Sequence, residues 1–278
     1  MKTKSLLLAT AILTLGICAC NSPKSDTHFF VQISDTQLGF INESEDFSPE
    51  RENMERIAAA INRLRPEFVV FSGDYIQWRT DENALEGFKQ MCALFDKDIP
   101  LYFVPGNHDV GEATPADVEE FVTRYGHDRF VHNGENYTAI GYNSCIIKSI
   151  AEGEPTKYEW MKESLEEAAK RNLPIILVAH HPLFVESPDE ENAGVNIPLE
   201  MRTKYLALLK KHGADLVLSG HLHHCVRAEY EGIQLATTSA AGRPLGEEPS
   251  GVTIITIAAD GIPTPTFYGI DSIPQQVN

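Results

Sequence analysis

The chain has 278 residues, of which 42% are hydrophobic and 23% charged, which is an ordinary composition for a globular protein. Its 40 acidic and 23 basic residues give a net charge of −17. Because such a surface repels nucleic-acid phosphate and anionic lipid, we expect no nucleic-acid partner and no basic membrane-binding face.

The N-terminus has the pattern of an export signal. Lys2 and Lys4 precede an apolar run over residues 6–17, which is shorter than the ~20 residues that span a bilayer. The segment Ile17-Cys18-Ala19-Cys20 resembles a bacterial lipobox, with Cys20 as the lipidated residue. We therefore expect a signal peptide over residues 1–19, a lipidated tether over 20–27 and a single domain over 28–278. An ordinary signal peptide cut nearby is the alternative.

This pattern predicts a location as well. An exported lipoprotein resides in the bacterial cell envelope, in the periplasm or at the outer membrane, and touches the membrane only through its N-terminal lipid. The sequence leaves open which membrane leaflet holds the lipid and whether the protein forms an oligomer.

Strand-like and helix-like segments alternate along the first part of the domain. Short apolar runs predict strands over residues 29–34, 68–72, 101–104, 175–179 and 216–218. Helical spacing and cap residues predict helices after Ser48-Pro49, after Thr114-Pro115, and over residues 83–95, 158–170 and 199–211. Further strands without intervening helices are predicted over 137–142, 145–150, 226–230, 233–238, 252–257 and 265–268. This mixture predicts an α/β domain with two packed sheets and helices outside.

Five short polar motifs each follow or end a predicted strand. In order they are Asp35-Thr36-Gln37, Gly73-Asp74, Gly106-Asn107-His108-Asp109, His180-His181-Pro182 and Gly220-His221-Leu222-His223. Taken singly, each has a structural explanation as a turn. Taken together, they place oxygen and imidazole groups at the carboxyl ends of strands, which is where open α/β sheets bind their ligands. The joint pattern predicts a metal site.

These motifs resemble those of the calcineurin-like metallophosphoesterase superfamily, whose pattern is D-x-H, G-D, G-N-H-D/E, H and G-H-x-H. The chain departs from it at Gln37, which stands where the family has His. Three segments narrow the resemblance to a serine/threonine phosphatase subgroup, the calcineurin-like phosphoesterase domain-containing type, which also carries Gln there. They are Ile33 to Gly39, His181 to Ser187 and Ser239 to Gly246.

The resemblance implies a four-layer α/β/β/α sandwich that holds two divalent metal ions, Mn, Fe or Zn. The first metal would bind Asp35, Gln37, Asp74 and His223. The second would bind Asp74, Asn107, His180 and His221, so that Asp74 bridges both. Two such ions activate water for in-line attack on a phosphoester. Two roles stay open for Gln37: an oxygen ligand of the first metal, or an amide contact to the phosphate or a water.

The resemblance also implies catalytic and substrate-binding residues. His108 would protonate the leaving oxygen or stabilise its charge. Asp109 would either orient His108 or cap its loop. Phosphate contacts are expected from Asn107, His108, His181 and Arg243.

Three functions are compatible with these motifs. The first is a phosphomonoesterase, with phosphoserine or phosphothreonine as the substrate that the subgroup implies. The second is a phosphodiesterase acting on cyclic nucleotides or glycerophosphodiesters, because the same metal centre performs both reactions. The third is a metal-binding scaffold without turnover, which only the departure at Gln37 favours.

Overall fold

The computed structural model describes residues 27–42, 46–258 and 261–277. One sheet contains five strands: β1 (His28–Ile33), β2 (Val69–Phe71), β3 (Leu101–Phe103), β10 (Gly251–Ile257) and β11 (Pro263–Gly269). Their spatial order is β11-β10-β1-β2-β3. Strands β1, β2 and β3 are parallel, whereas β10 runs antiparallel to both of its neighbours.

The other sheet contains six strands: β4 (Phe130–Asn133), β5 (Thr138–Gly141), β6 (Ile175–Val178), β7 (Leu216–Ser219), β8 (Val226–Tyr230) and β9 (Ile233–Thr237). Their order is β4-β5-β6-β7-β9-β8. The four central strands are parallel and the two edge strands are antiparallel. Both sheets are therefore mixed, and their number matches the two packed sheets that the sequence predicts.

Seven α-helices lie within the described residues: α1 (Ser48–Leu64), α2 (Glu82–Cys92), α3 (Asn107–Val110), α4 (Pro115–Tyr125), α5 (Ser144–Lys148), α6 (Glu154–Ala169) and α7 (Leu199–Lys211). A 3₁₀ turn, Ile270–Ser272, follows β11. Helix α4 begins with a capping box between Thr114 and Asp117 and ends at Gly126, where φ is +87°.

The alternation of side chains along each strand produces the layers. In β2, Val69 and Phe71 belong to the core beneath helices α1 and α2, whereas Val70 faces the core between the two sheets. In β6, Ile176 faces the same inter-sheet core, and Leu177 packs with helices α6 and α7. Three hydrophobic cores thus separate four layers in the order helix, sheet, sheet, helix.

One predicted strand is wrong. Residues 145–150 carry strand-forming isoleucines, but Ser144–Lys148 is a helix. Asn143 caps it, because its side chain accepts hydrogen bonds from the backbone N–H groups of Cys145 and Ile146. The short elements α3 and β4 were not predicted from the sequence.

The predicted export signal, Cys20 and most of the tether lie outside the described residues. None of the helices in the described part of the chain is long and apolar enough to cross a membrane.

Candidate metal centre

The predicted ligands follow the carboxyl ends of five parallel strands drawn from both sheets. Asp35 and Gln37 follow β1, Asp74 follows β2, and Asn107 follows β3. From the other sheet, His180 follows β6, and His221 and His223 follow β7. Because the two sheets are stacked with these ends together, all seven residues lie at one edge of the sandwich.

The backbone turns sharply at this edge. Five predicted ligands adopt the left-handed conformation that non-glycine residues rarely occupy: Asp35 (φ +54°), Gln37 (+39°), Asp74 (+55°), His221 (+70°) and His223 (+55°). Such strain costs roughly 1–3 kcal/mol per residue and persists where the surrounding structure enforces it, which is common at functional sites.

Two glycines allow the loops to approach each other. A Cβ on Gly220 would lie 1.8 Å from Ser34 Oγ and 2.7 Å from Asp35 Oδ2, and one on Gly106 would lie 2.1 Å from Asp74 Oδ1. Neither position has room for a side chain. The motif glycines are therefore required because carboxylates pass directly against the backbone.

The first group of ligands centres on Asp35, which is fully buried. Its Oδ1 lies 3.3 Å from His223 Nε2, and its Oδ2 accepts a hydrogen bond from the backbone N–H of His221 at 3.0 Å. His223 Nδ1 donates to the carbonyl of Arg243 at 2.6 Å, which leaves Nε2 facing the carboxylate. The buried amide oxygen of Gln37 has no hydrogen-bond partner.

The second group centres on His180, which is also fully buried. Its Nε2 lies 3.1 Å from Asn107 Oδ1, 3.1 Å from His221 Nδ1 and 3.2 Å from Asp74 Oδ2. Its Nδ1 donates to the carbonyl of Ser72 at 2.9 Å. The hydrogen bond at Nδ1 therefore fixes the orientation of the ring, and Nε2 lies close to three other polar atoms.

At Asp74 and His180, burial and the neighbouring charges shift the pKa in opposite directions. Burial by itself raises the pKa of Asp74, but the neighbouring His180 outweighs it and holds the pKa well below its usual range. Conversely, burial lowers the pKa of His180, but Asp74 outweighs it and raises that pKa to about 9. Burial and His180 together lower the pKa of His221 to about 4. In the absence of a metal ion, Asp74 and His180 thus form a buried charged pair beside the neutral imidazole of His221.

These residues fit divalent metal ions. Two ligand atoms at about 2.1 Å from one ion and at a right angle to each other lie about 3 Å apart, which is close to the spacing around His180. The carbonyl-bound Nδ1 atoms of His180 and His223 supply the outer hydrogen bonds that metal-binding imidazoles usually make. Among the described residues, Asp35, Asp74 and His180 form one candidate ligand cluster and His180, His181 and His221 form another.

His108 lies at the edge of the centre and is only partly buried. Its Nδ1 is 2.8 Å from the carbonyl oxygen of Gln77 and donates to it, so Nε2 is the nitrogen available to a substrate. Its backbone N–H donates to Asp74 Oδ1 at 2.8 Å. Trp78, whose side chain is exposed, lies beside it with the ring centroids 6.4 Å apart.

Asp109 has a different position from the one a catalytic role would need. Its carboxylate accepts hydrogen bonds from the backbone N–H groups of Asp74 and Gly106, both at 2.8 Å, and of Tyr75 at 3.1 Å. These contacts tie the β2 and β3 loops together, which is the loop-capping alternative. The residue that orients His108 is Gln77, through its carbonyl group, and no sequence motif marked it.

The other predicted substrate contacts differ in exposure. His181 is buried beneath the metal centre, and its Nδ1 lies 3.2 Å from Ser144 Oγ. Ser144 Oγ also accepts hydrogen bonds from the backbone N–H groups of His180 and His181. The hydroxyl proton of Ser144 is therefore directed to the His181 ring. Arg243 is exposed at the rim, with its guanidinium 5.1 Å from the centre of the Phe40 ring.

A loop between β6 and α7 forms another wall of the centre. Burial and His180 lower the pKa of His221, and the backbone of Gly194 in this loop opposes that shift. The fully buried Arg202 holds the loop by donating to the carbonyls of Pro188, Glu190 and Ile197. The acidic segment 186–192 lies in this loop.

Comparison with known proteins agrees with this geometry. The family model for calcineurin-like phosphoesterases matches residues 25–225. The chain belongs to the calcineurin-like phosphoesterase family. It is a phosphoester hydrolase with the α/β sandwich fold of the metallophosphatases, as the sequence predicts. The family uses divalent metal ions, for which the ligand clusters described above are the candidate sites.

Two curated relatives and one solved structure are similar to this chain. "Serine/threonine-protein phosphatase CPPED1" of Homo sapiens is 29% identical over 89% of this chain and 85% of its own length. "Probable glycerophosphodiester phosphodiesterase GpdQ" of Arcobacter nitrofigilis is 29% identical over 59% of each chain. A dimetal phosphatase from Danio rerio has the same fold, with a TM-score of 0.62 and 13% identity, covering 87% of this chain and 99% of the other.

Proposed function

We propose that the protein is a phosphomonoesterase that uses two divalent metal ions and acts on phosphoserine or phosphothreonine. The observation that carries this proposal is the convergence of nitrogen and oxygen atoms around His180 Nε2, at 3.1–3.2 Å, beside the Asp35–His223 pair. Such a buried collection of ligand atoms is otherwise costly. Metal binding explains why the strained loops are held together.

The ligands divide as the family resemblance implies. Asp35, Gln37, Asp74 and His223 would hold the first ion, and Asp74, Asn107, His180 and His221 would hold the second. Oxygen and imidazole ligands suit Mn, Fe or Zn. When bound, the two ions supply Lewis-acid activation of water and of the phosphate oxygens.

Residues of the chain carry out proton transfer and phosphate binding. His108 would deliver a proton to the leaving group. Because Gln77 fixes Nδ1 as a donor, a proton transferred by the ring must pass through Nε2. Asn107 and Arg243 would bind the phosphate oxygens, the latter as an exposed cation at the rim, whereas the buried His181 could reach the phosphate only from beneath the metal centre.

The curated relatives support the monoester over the diester. The CPPED1 proteins match most of the chain and carry the name of a serine/threonine-protein phosphatase, whereas the named glycerophosphodiesterase matches 59% of it. Turnover of phenyl phosphate and of diphenyl phosphate by the Mn-loaded protein separates the two activities. We expect faster hydrolysis of phenyl phosphate. A preference for the diester would favour the phosphodiesterase, and no turnover of either would favour the scaffold.

We also propose that the protein is exported and anchored in the cell envelope through a lipid on Cys20. The charged start, the short apolar run and the lipobox-like segment support this location. Labelling of cells with a palmitate analogue should mark the protein, and Cys20→Ala should abolish the label. A labelled Cys20→Ala variant, or an unlabelled parent protein, would contradict the anchor.

A further inference from the structure

The buried amide of Gln37 pairs with the partly buried amide of Gln77 next to the proposed first metal site. Gln37 Nε2 donates to Gln77 Oε1 at 2.9 Å. The Gln37 side chain is 3% exposed, and its Oε1 has no hydrogen-bond partner. Burial of an unpaired amide oxygen costs about 1–3 kcal/mol, so this atom requires a partner that the polypeptide does not provide.

The backbone fixes the two residues relative to each other and to the carboxylates. The N–H of Gln37 donates to the carbonyl of Asp74 at 2.9 Å, and the N–H of Gln77 donates to the carbonyl of Leu38 at 2.9 Å. A parallel bridge between Leu38 and Ile76 joins the same segments. These contacts therefore join the loops after β1 and β2 into one unit, and the Gln37–Gln77 amide pair links the two loops.

The pairing determines which end of the Gln37 amide is available. An amide offers an oxygen acceptor on one side and an N–H₂ donor on the other. Since Gln77 accepts from Nε2, the free end of Gln37 is the oxygen. An oxygen can bind a cation, whereas an N–H₂ group would be repelled by it.

We propose that Gln77 is a positioning residue that holds the Gln37 amide with its oxygen free to bind the first metal. This inference rests on the proposed two-metal function and decides between the two roles left open for Gln37. Gln77 also accepts the His108 Nδ1–H through its carbonyl group. One residue thus orients both the substitute ligand and the proton donor.

A double-mutant cycle tests this inference through metal binding. Mn²⁺ binding is measured by isothermal titration calorimetry on the full domain for the parent protein, Gln77→Met, Gln37→Met and the double variant. We expect Gln77→Met to weaken one of the two sites about tenfold and to leave the other unchanged, as removal of an outer-shell partner commonly does. In the Gln37→Met background, Gln77→Met should have no further effect, because the amide on which it acts is gone.

Two further variants complete the design. Gln77→Glu keeps an acceptor for Gln37 Nε2 and should retain at least the parent affinity. Gln90→Met makes the same change at an exposed glutamine on α2 and should behave as the parent. Each variant is compared with the parent by circular dichroism.

The outcomes distinguish the inference from the proposed function. If the parent binds two Mn²⁺ ions and Gln77→Met binds them with the same affinity, the inference is wrong and the proposed function stands. The same conclusion follows if Gln77→Met weakens Mn²⁺ binding equally in the parent and in the Gln37→Met background. If Gln77→Glu loses the site, the acceptor role is also wrong. A parent protein that binds no metal would overturn both.

Discussion

At the scale of single residues, the centre depends on side chains whose orientation is set by backbone groups behind them. Carbonyl groups of Ser72, Gln77 and Arg243 accept the Nδ1–H of His180, His108 and His223, respectively. Each imidazole therefore presents a defined nitrogen. The motifs predicted which polar residues the structure brings together, but they did not predict these backing contacts, because the contacts join residues up to 108 positions apart.

The first prediction concerns His108. Replacement by Asn should lower kcat about 10²–10⁴-fold for phenyl phosphate, because general acid catalysis contributes about that much. The loss should be smaller for p-nitrophenyl phosphate, whose leaving group needs no proton. Steady-state kinetics on both esters checks this, with the metal content of the variant measured beside it. Equal losses on the two esters would contradict the role of His108 as the proton donor.

The second prediction concerns the close approach at Gly220. Gly220→Ala would place a Cβ 1.8 Å from Ser34 Oγ, so we expect the protein to lose about 1–3 kcal/mol of stability and to bind metal more weakly. Gly153→Ala is the matched control, because a Cβ there meets nothing within 4 Å. Urea denaturation of both variants measures the difference. A Gly220→Ala variant as stable as Gly153→Ala would show that the loops are not packed as described.

At the scale of elements, the regular strands and long helices were predictable because hydrophobic periodicity and cap residues mark them. The error over residues 145–150 arose because isoleucine composition favoured a strand, while the cap at Asn143 favoured a helix. The Asp109 contacts and the Gln37–Gln77 pair could not be derived from the sequence. They depend on how the loops after different strands pack, and local patterns carry no such information.

The loop between β6 and α7 supplies the element-scale prediction. Arg202→Met removes the donors to one buried and two partly buried carbonyls, so we expect about 1–3 kcal/mol lower stability from the unpaired polar groups. The loop should also become sensitive to proteolysis. Urea denaturation and limited digestion with a glutamate-specific protease, which can cut after Glu186, Glu190 and Glu191 in this loop, check both effects, with Arg227→Met as the control at a more exposed arginine. A digestion pattern unchanged from the parent would contradict the holding role of Arg202.

At the scale of the whole molecule, Glu67 joins the two sheets at the end opposite the metal centre. It contacts His28 at the start of β1 and His132 in β4, and it accepts a hydrogen bond from Tyr137 at 2.8 Å. Burial by itself raises the pKa of Glu67, but the contacts with His132, His28 and Tyr137 outweigh it and lower the pKa to about 2.

The lowered pKa of Glu67 gives a pH dependence of known sign. Because the folded pKa lies below the usual value of 4.5, the contribution of Glu67 to stability is fully present above pH 4.5. It is lost as the pH falls from 4.5 toward 2. We expect Glu67→Gln to be less stable than the parent at pH 7 and to differ less at pH 3. Urea midpoints of the chelator-treated proteins measure this. A stability difference between Glu67→Gln and the parent that is larger at pH 3 than at pH 7 would contradict the prediction.

The most direct test of the whole account is the metal content of the purified protein after saturation with Mn²⁺ and removal of excess metal. We predict two ions per chain, and at most one in Asp74→Asn, because Asp74 is the proposed bridge between the sites. Retention of no ions by the parent protein, or of two ions by Asp74→Asn, would contradict the dinuclear centre.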